Sequence, residues 1–319
     1  MGGVALVLGG GGLVGHAWHV GVLAGLSDAT GWDPCQAELI VGTSAGAVVG
    51  AELRAGLHPV ALMAPGVGAA PPTVPRPARG ARSRRPAAPA MALRALVARA
   101  PAGLALAGLL PRGRHDPAII SDAIVRLPIT AGLWPPGLWV SAVGLEDGQR
   151  VVFGRGSPAG EPVDLPTAVA ASCAMAGFFR PVSIAGRDYV DGGSRSATNA
   201  DLAGGGNFDL VMVSSPMSLD VSASGPPRRK MTALARRHRL VHHVRLEGEL
   251  VAVRRDGTAA VAFEPGPEDI AVMGSIAASM DFGRRAAVAE KARERVAGEL
   301  RSAPLATVRS RLEAAARSG

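Results

Sequence analysis

The stretch from Leu39 to Gly50, Leu-Ile-Val-Gly-Thr-Ser-Ala-Gly-Ala-Val-Val-Gly, limits the folds open to this chain more than any other segment. A β-branched apolar run drives straight into Gly42-x-Ser44-x-Gly46, and a run of small residues follows at once. That order predicts a strand, a sharp turn and a helix, with the Ser44 hydroxyl lifted out of the backbone at the turn. Side chains at 42 and 46 would collide with the neighbouring strand and helix, and the turn itself strains the backbone. Ser44 also opens a helix, where unpaired N–H groups and the helix dipole favour developing negative charge.

A similar unit precedes it. Val4–Leu8 reads as a strand, Gly9–Gly12 as a glycine run, and His16 to about Ala29 as a helix with Ala17, Val20, Leu23, Ala24 and Ser27 along one face. Two such units within the first 55 or so residues argue for a parallel sheet covered by helices. Residues 65–90 break the rhythm with seven prolines and five arginines, and read as an extended segment. Met91–Arg99 and Ala102–Leu110 are apolar helical stretches, so residues 65–115 are expected to form an insertion over the sheet edge, serving as a lid or a membrane contact. Asp116 as N-cap and Pro117 after it open a helix to about Leu127. Leu138–Gly144 and Arg150–Phe153 read as a hairpin turning at Asp147-Gly148. Thr167–Ala176 is a small-residue helix, Val182–Ile184 and Asp188–Val190 are short strands, and Asp209–Val213 is a buried strand. After Pro226-Pro227, Arg228–Leu246 is a basic helix, Ala259–Phe263 a last strand, and helices fill 268–280 and 282–316. The whole chain reads as one domain, with the insertion at about 65–115 and a helical part at about 226–319.

With 48% hydrophobic and 19% charged residues the chain is globular, and 319 residues suffice for a large core. Only 3% are aromatic, which argues against stacking platforms for nucleic acid, so no nucleic-acid partner is expected. Cys35 and Cys173 form neither a disulfide framework nor a metal-ligand cluster, and no cofactor is expected. A reducing compartment follows, and with no secretory signal and no apolar run of about 18 residues the expectation is a cytoplasmic protein, in peripheral contact with membrane at most. The net charge of +8 is uneven: ten arginines and no carboxylate fall between Leu53 and His115. A general preference for arginine explains Arg over Lys but not the missing acids, so a cationic surface for anionic lipid headgroups is expected.

Gly10, Gly12 and Gly15 satisfy Gly-x-Gly-x-x-Gly after a strand, a dinucleotide fingerprint. That use needs an acid at the end of the second strand, which here runs into Val41-Gly42-Thr43-Ser44 with Glu38 at its other end. A glycine-lined loop can instead turn backbone N–H groups toward the oxyanion of an acyl intermediate. A nucleophilic serine needs a base. His16, His19, His58, His115, His238, His242 and His243 all lack an obvious turn after a strand. Asp191, in Tyr189-Val190-Asp191-Gly192-Gly193, ends a short apolar strand before two glycines and is the better partner for a Ser–Asp dyad. An ordinary carboxylate is a weak base, so this dyad requires desolvation and oxyanion donors to help it.

Together Gly9–Gly15, Gly42–Gly46 and Asp191–Gly193 resemble the patatin-like phospholipase family in order and spacing, over about residues 3–215. Gly21-Val22-Leu23, the run Ala168–Ala176 followed by Phe178-Phe179-Arg180-Pro181-Val182, and Asn199 are similar too. The resemblance implies an α/β fold with three α/β/α layers around a central, mostly parallel sheet. It also implies hydrolysis of lipid acyl esters through an acyl-serine without a catalytic histidine or cofactor. Ser44 would be nucleophile and Asp191 base, with amides of Gly10, Gly11, Gly12 and Leu13 around the oxyanion. The sequence departs from the family pattern at Val14, where Arg or Lys is usual, and at Ala176, where proline is common. Two alternatives remain: a Ser–Asp–His esterase in which Asp191 orients His238, His242 or His243, and a non-catalytic lipid-binding protein with a degenerate serine site.

Overall fold

Each short apolar run becomes a strand of one eight-stranded sheet. The computed structural model describes residues 3–69, 85–129, 133–154, 163–222, 232–255, 257–275 and 278–318. In chain order the elements are β1 (Val4–Leu8), α1 (Gly12–Thr30), β2 (Leu39–Thr43), α2 (Ala45–Arg54), the single turn α3 (Pro59–Leu62), α4 (Pro89–Val97), α5 (Ala102–Leu109), α6 (Ala118–Val125), β3 (Leu138–Gly144) and β4 (Arg150–Phe153). Then come α7 (Leu165–Ser172), β5 (Val182–Ile184), β6 (Arg187–Asp191), β7 (Leu210–Ser214), α8 (Ala233–Arg254), β8 (Ala259–Phe263), α9 (Pro267–Met273), α10 (Arg285–Leu300) and α11 (Ala306–Ser318).

Strands β8, β7, β1, β2 and β3 lie side by side and parallel. Every residue of β1, β2 and β7 is buried, which is why these runs are continuously apolar rather than alternating. Leu6, Leu8 and Ile40 face a core shared with α1, α2 and α10, whereas Ala5, Val7 and Val41 pack with Leu246, Leu250 and Val253 of α8 on the other face. The result is the expected three-layer α/β/α arrangement, with a mostly parallel sheet. Helix α1 packs tightly against α10 at Gly21, where a Cβ would sit 2.1 Å from the Ala289 carbonyl oxygen.

One feature of the topology positions the site. Val140 and Ser141 of β3 pair with β2 and also with β4, so β4 occupies the edge opposite β2. Ala142 and Val143 pair with β4 and with β6, so β6 lies on the same edge of β3 as β2. Strand β2 runs parallel to β3 and ends with Thr43 at Ser141; β6 runs antiparallel and ends with Asp191 at Ala142. The two strands meet nearly end to end on one edge of β3.

The differences from the expected elements are local. Helix α1 begins at Gly12, inside the glycine run, rather than at His16, because Gly12 at φ +65° turns the chain directly into the helix. The segment expected to be helical over 282–316 is divided by a turn at Ala303–Leu305, where Pro304 interrupts it. Helix α8 runs on to Arg254, and the first residues of the helix expected from Arg228 lie outside the described residues, as does most of the Pro/Arg-rich segment. Helices α4 and α5 bury Met91, Ala95, Leu104 and Ala105 against Val143, Leu145 and Val190, which ties this part of the insertion to the ends of β3 and β6.

Candidate active site

Ser44 occupies the turn between β2 and α2 at φ 53°, ψ −117°, a backbone conformation that L-residues rarely adopt. The flanking glycines are sterically required. A Cβ on Gly46 would lie 1.9 Å from the Leu8 carbonyl oxygen, and one on Gly42 would lie 2.5 Å from the Cα of Ala47. The Ser44 N–H donates to Oγ of Ser172 at 2.8 Å, which fixes the turn from the end of α7. Ser172 escaped notice in the sequence; its only signal was a lone hydroxyl inside an alanine-rich run.

Asp191 reaches this serine because β6 ends where β2 ends. Its carboxylate lies beside the Ser44 hydroxyl in the cavity wall and accepts the Gly193 N–H at 2.7 Å. Asp191 is only 8% exposed. Burial pushes its carboxyl up to about 6, against the pull of the bonds from Ser44 and Gly193. Cys173 packs against both groups, and its own burial raises the thiol so that it stays protonated at neutral pH. Below the pair, Asn199 donates to the hydroxyls of Thr43 and Ser141 at 3.1 and 3.2 Å, bracing the two strand ends.

The glycine loop lies beside the turn, with Gly10 3.5 Å from the Ser44 Cβ by the position a Cβ would take. The carbonyl of Gly9 accepts the Gly46 N–H at 3.1 Å and Nε2 of His19 at 2.7 Å. A carbonyl only accepts, so His19 carries its proton on Nε2, and the bare Nδ1 accepts the Ser214 hydroxyl at 2.7 Å. Burial pushes this imidazole down to about 3, and it is neutral across the physiological range. Gly10 departs from expectation as an oxyanion donor: its N–H is committed to the Ala197 carbonyl at 2.8 Å. The amides of Gly11, Gly12 and Leu13 have no acceptor among the described residues and sit at the N-terminus of α1.

Ser44, Asp191 and the loop share the wall of one cavity of about 900 Å³. Part of the lining is apolar: Leu106 of α5 and Leu110 just after it, with Ile120, Ile124 and Phe179. The lining also includes Arg195 and, from α8, His238, His242 and Arg245. Among the described residues no histidine hydrogen-bonds Asp191: His238 and His242 contact each other at 3.3 Å, and His243 pairs with Glu264 at 3.0 Å. His16 bonds Glu52 at 2.8 Å, and Glu52 in turn accepts the Ala69 N–H. His58 caps α3, and His115 stacks on Phe178. No group of side chains suited to holding a metal ion occurs among the described residues. Of the ten arginines between Leu53 and His115, Arg54 holds backbone carbonyls of Cys35, Ala37 and Gly137, and Arg112 pairs with Asp188. Arg85, Arg94 and Arg99 are exposed.

The fold and site define an α/β/α protein in which a serine at a strained turn and a buried carboxylate both line a largely apolar cavity. The sequence model of the patatin-like phospholipase family matches residues 6–203, well over half of the chain. The chain therefore belongs to that family of lipid acyl hydrolases. No curated relative matches it. No described helix is long and apolar enough to cross a membrane.

Proposed function

We propose that this protein hydrolyses carboxylic esters of lipids through an acyl-serine, with Ser44 as nucleophile and Asp191 as the only base. The observation that carries this reading is the Ser44 hydroxyl beside a buried carboxylate whose proton affinity is raised to about 6. Asp191 takes the hydroxyl proton as Ser44 Oγ attacks the ester carbonyl carbon. The carbonyl oxygen becomes an oxyanion and accepts the free N–H groups of Gly11, Gly12 and Leu13. As the tetrahedral intermediate collapses, the C–O bond to the alcohol breaks and the departing oxygen takes the proton from Asp191. Water then attacks the acyl-serine, gives its proton to Asp191, and that proton returns to Ser44 as the fatty acid leaves. A carboxylate with an ordinary affinity near 3.8 would hold the transferred proton poorly; desolvation brings it nearer the working pH.

The apolar wall of the cavity suits an acyl chain, and its volume lies within the usual range for sites that enclose a small organic ligand. Exposed Leu93, Leu96 and Val97 on α4 and Leu106 and Leu109 on α5 stand near Arg94 and Arg99, and no acidic residue occurs in this part of the chain. That combination suits peripheral contact with an anionic membrane surface, from which substrate enters the cavity. A fluorophosphonate probe tests the chemistry directly. It should label the wild-type protein and leave Ser44→Ala unlabelled; folded wild-type protein that resists the probe refutes the acyl-serine reading.

A further inference from the structure

The lining of the cavity carries positive charge that the proposed chemistry does not use. Arg195 follows Asp191 by four residues, after the single turn Gly192–Ser194, and lines the cavity half-buried. Its N–H donates to the Gly192 carbonyl at 3.0 Å, but among the described residues its guanidinium has no ion pair and no hydrogen-bond partner. The carboxylates nearest it are already committed. Asp201 is held by both Nη atoms of Arg150 at 2.7 Å. Glu249 accepts the Ser196 and Thr198 hydroxyls and the Ala200 N–H at 2.5–2.8 Å.

Arg245 adds a second cation to the same wall. Its Nε stands 3.4 Å from Glu249 without hydrogen-bond geometry. Behind it the buried Arg239 donates to the carbonyls of Pro216 and Ser218 and meets no carboxylate among the described residues. His238 and His242 complete the wall. Burial and the neighbouring arginine lower both imidazoles, His242 to about 4, so at neutral pH they offer N–H groups but no charge. The Nδ1 of His238 is buried and unpartnered.

Against these cations the described residues of the cavity lining offer a single carboxylate, that of Asp191. Among the described lining residues there is also no Trp and no Tyr, so none of them forms an aromatic cage or a free counter-ion for a quaternary ammonium. We infer that Arg195 and Arg245 form a subsite for a phosphate monoester headgroup, so that the preferred substrates are acyl esters of phosphatidate type rather than phosphocholine lipids. This rests on the proposed hydrolysis at Ser44 for its catalytic meaning: the phosphate sits on the cationic wall while the acyl chain lies along α5. Guanidinium groups suit this ligand because they grip phosphate oxygens in pairs.

The test uses sub-micellar dihexanoyl phosphatidate and dihexanoyl phosphatidylcholine, with kcat/KM measured for both on the same protein. The wild type should favour the phosphatidate by about tenfold or more, and Arg195→Gln should remove most of that preference, chiefly through KM. Equal losses on both lipids in the variant, or no preference in the wild type, overturn the subsite. Binding is read separately by titrating Ser44→Ala, and the same variant also carrying Arg195→Gln, with dodecyl phosphate, dodecylphosphocholine and inorganic phosphate. Dodecyl phosphate should bind about tenfold more tightly than dodecylphosphocholine, and the Arg195→Gln change should abolish the difference. Inorganic phosphate binding as tightly as dodecyl phosphate would mean a free-ion site and would overturn the headgroup assignment. A protein that binds dodecyl phosphate through Arg195 yet hydrolyses neither lipid keeps the subsite and refutes the hydrolase reading. One that hydrolyses both lipids equally does the reverse. Arg195→Lys serves if the glutamine variant does not fold: it keeps the charge but loses the paired grip, so part of the preference should remain, and full loss or full retention of it overturns the role given to Arg195.

Discussion

Asp191→Asn should make the folded protein more stable at pH 8 while abolishing its activity. Burial raises the Asp191 carboxyl from 3.8 to about 6, so the folded chain holds this proton over a range in which the unfolded chain releases it. The corresponding stability is fully present below pH 3.8 and is lost as pH rises through about 6. A gap of about two pH units at about 1.4 kcal/mol each sets a ceiling near 3 kcal/mol on the cost of the ionised carboxylate. Asparagine has the same shape, its Oδ1 can accept the Gly193 N–H, and its Nδ2 can donate to Ser44. With an unfolding entropy of about 2 cal/mol/K per residue, that ceiling corresponds to roughly 4–5 °C in Tm for a chain of this length. Thermal unfolding of both proteins from pH 4 to pH 8 should show a gap that opens with pH in favour of the variant. His19, lowered to about 3, gives stability that falls away as pH drops below 6.5, but it does so in both proteins and cancels in the difference. A gap of constant size, or a less stable variant at pH 8, would show that burial does not strain this carboxylate. The kinetic counterpart is an acid limb in kcat/KM for a soluble ester with an apparent pKa near 6, since the base works only when ionised. A limb near 4 would refute it.

Three further outcomes follow from the site and its surroundings. Ser44→Gly should be more stable than Ser44→Ala by about 1–2 kcal/mol in denaturant titration, because both lack the hydroxyl and only glycine accepts φ 53° without strain; equal midpoints would remove strain from the account of the turn. His19→Ala should cost about 2–4 kcal/mol, since it opens a cavity and leaves the buried Ser214 hydroxyl and Gly9 carbonyl each short of a partner; a loss below about 0.5 kcal/mol would mean that the imidazole does not hold the loop. Replacing both Leu96 and Val97 with serine should weaken sedimentation with anionic vesicles severalfold and leave hydrolysis of a soluble p-nitrophenyl ester intact, because both side chains point outward from α4 at 60% and 77% exposure; unchanged vesicle binding would move the contact surface elsewhere.

Local chemistry made much of this legible in the sequence. The strand, turn and helix around Ser44 lie where the β-branched run, the paired glycines and the small residues put them, with α2 spanning Ala45–Arg54 as expected. The hairpin of β3 and β4 follows equally from its two apolar runs and its Asp147-Gly148 turn. What the sequence could not supply is partner choice for backbone groups. Nothing local distinguishes the amide of Gly10, which Ala197 takes, from those of Gly11, Gly12 and Leu13, which stay free. Nor does the sequence around His19 separate an anchor for the Gly9 carbonyl from an ordinary packing histidine, because its partner Ser214 lies 195 residues away.

The pairing of Ser44 with Asp191 is of this second kind, and its cause is the sheet rather than either motif. A parallel strand that ends in a turn leaves the rest of its neighbour's edge unpaired, and buried backbone groups there need partners. Strand β6 supplies them by entering from the opposite direction, and its ladder with β3 begins at Ala142, the residue after the one that closes the ladder of β2. The last residue of each strand is therefore driven against the other, and both chains have to leave the sheet at that point. Thr43 leaves through the strained Ser44; Asp191 leaves through Gly192, whose absent side chain makes room for Ser141, since a Cβ there would lie 2.5 Å from the serine Oγ. Two acute exits facing each other bring a hydroxyl and a carboxylate to one part of the cavity wall. The packing that holds them there also buries Asp191 and raises its carboxyl, so reactivity and strain have one structural origin. Lengthening either ladder by one residue would move a side chain to the opposite face of the sheet and separate the pair. Gly42 and Gly46 at one exit and Gly192 at the other are thus requirements of the register, and the chemistry proposed for the site depends on that register being held.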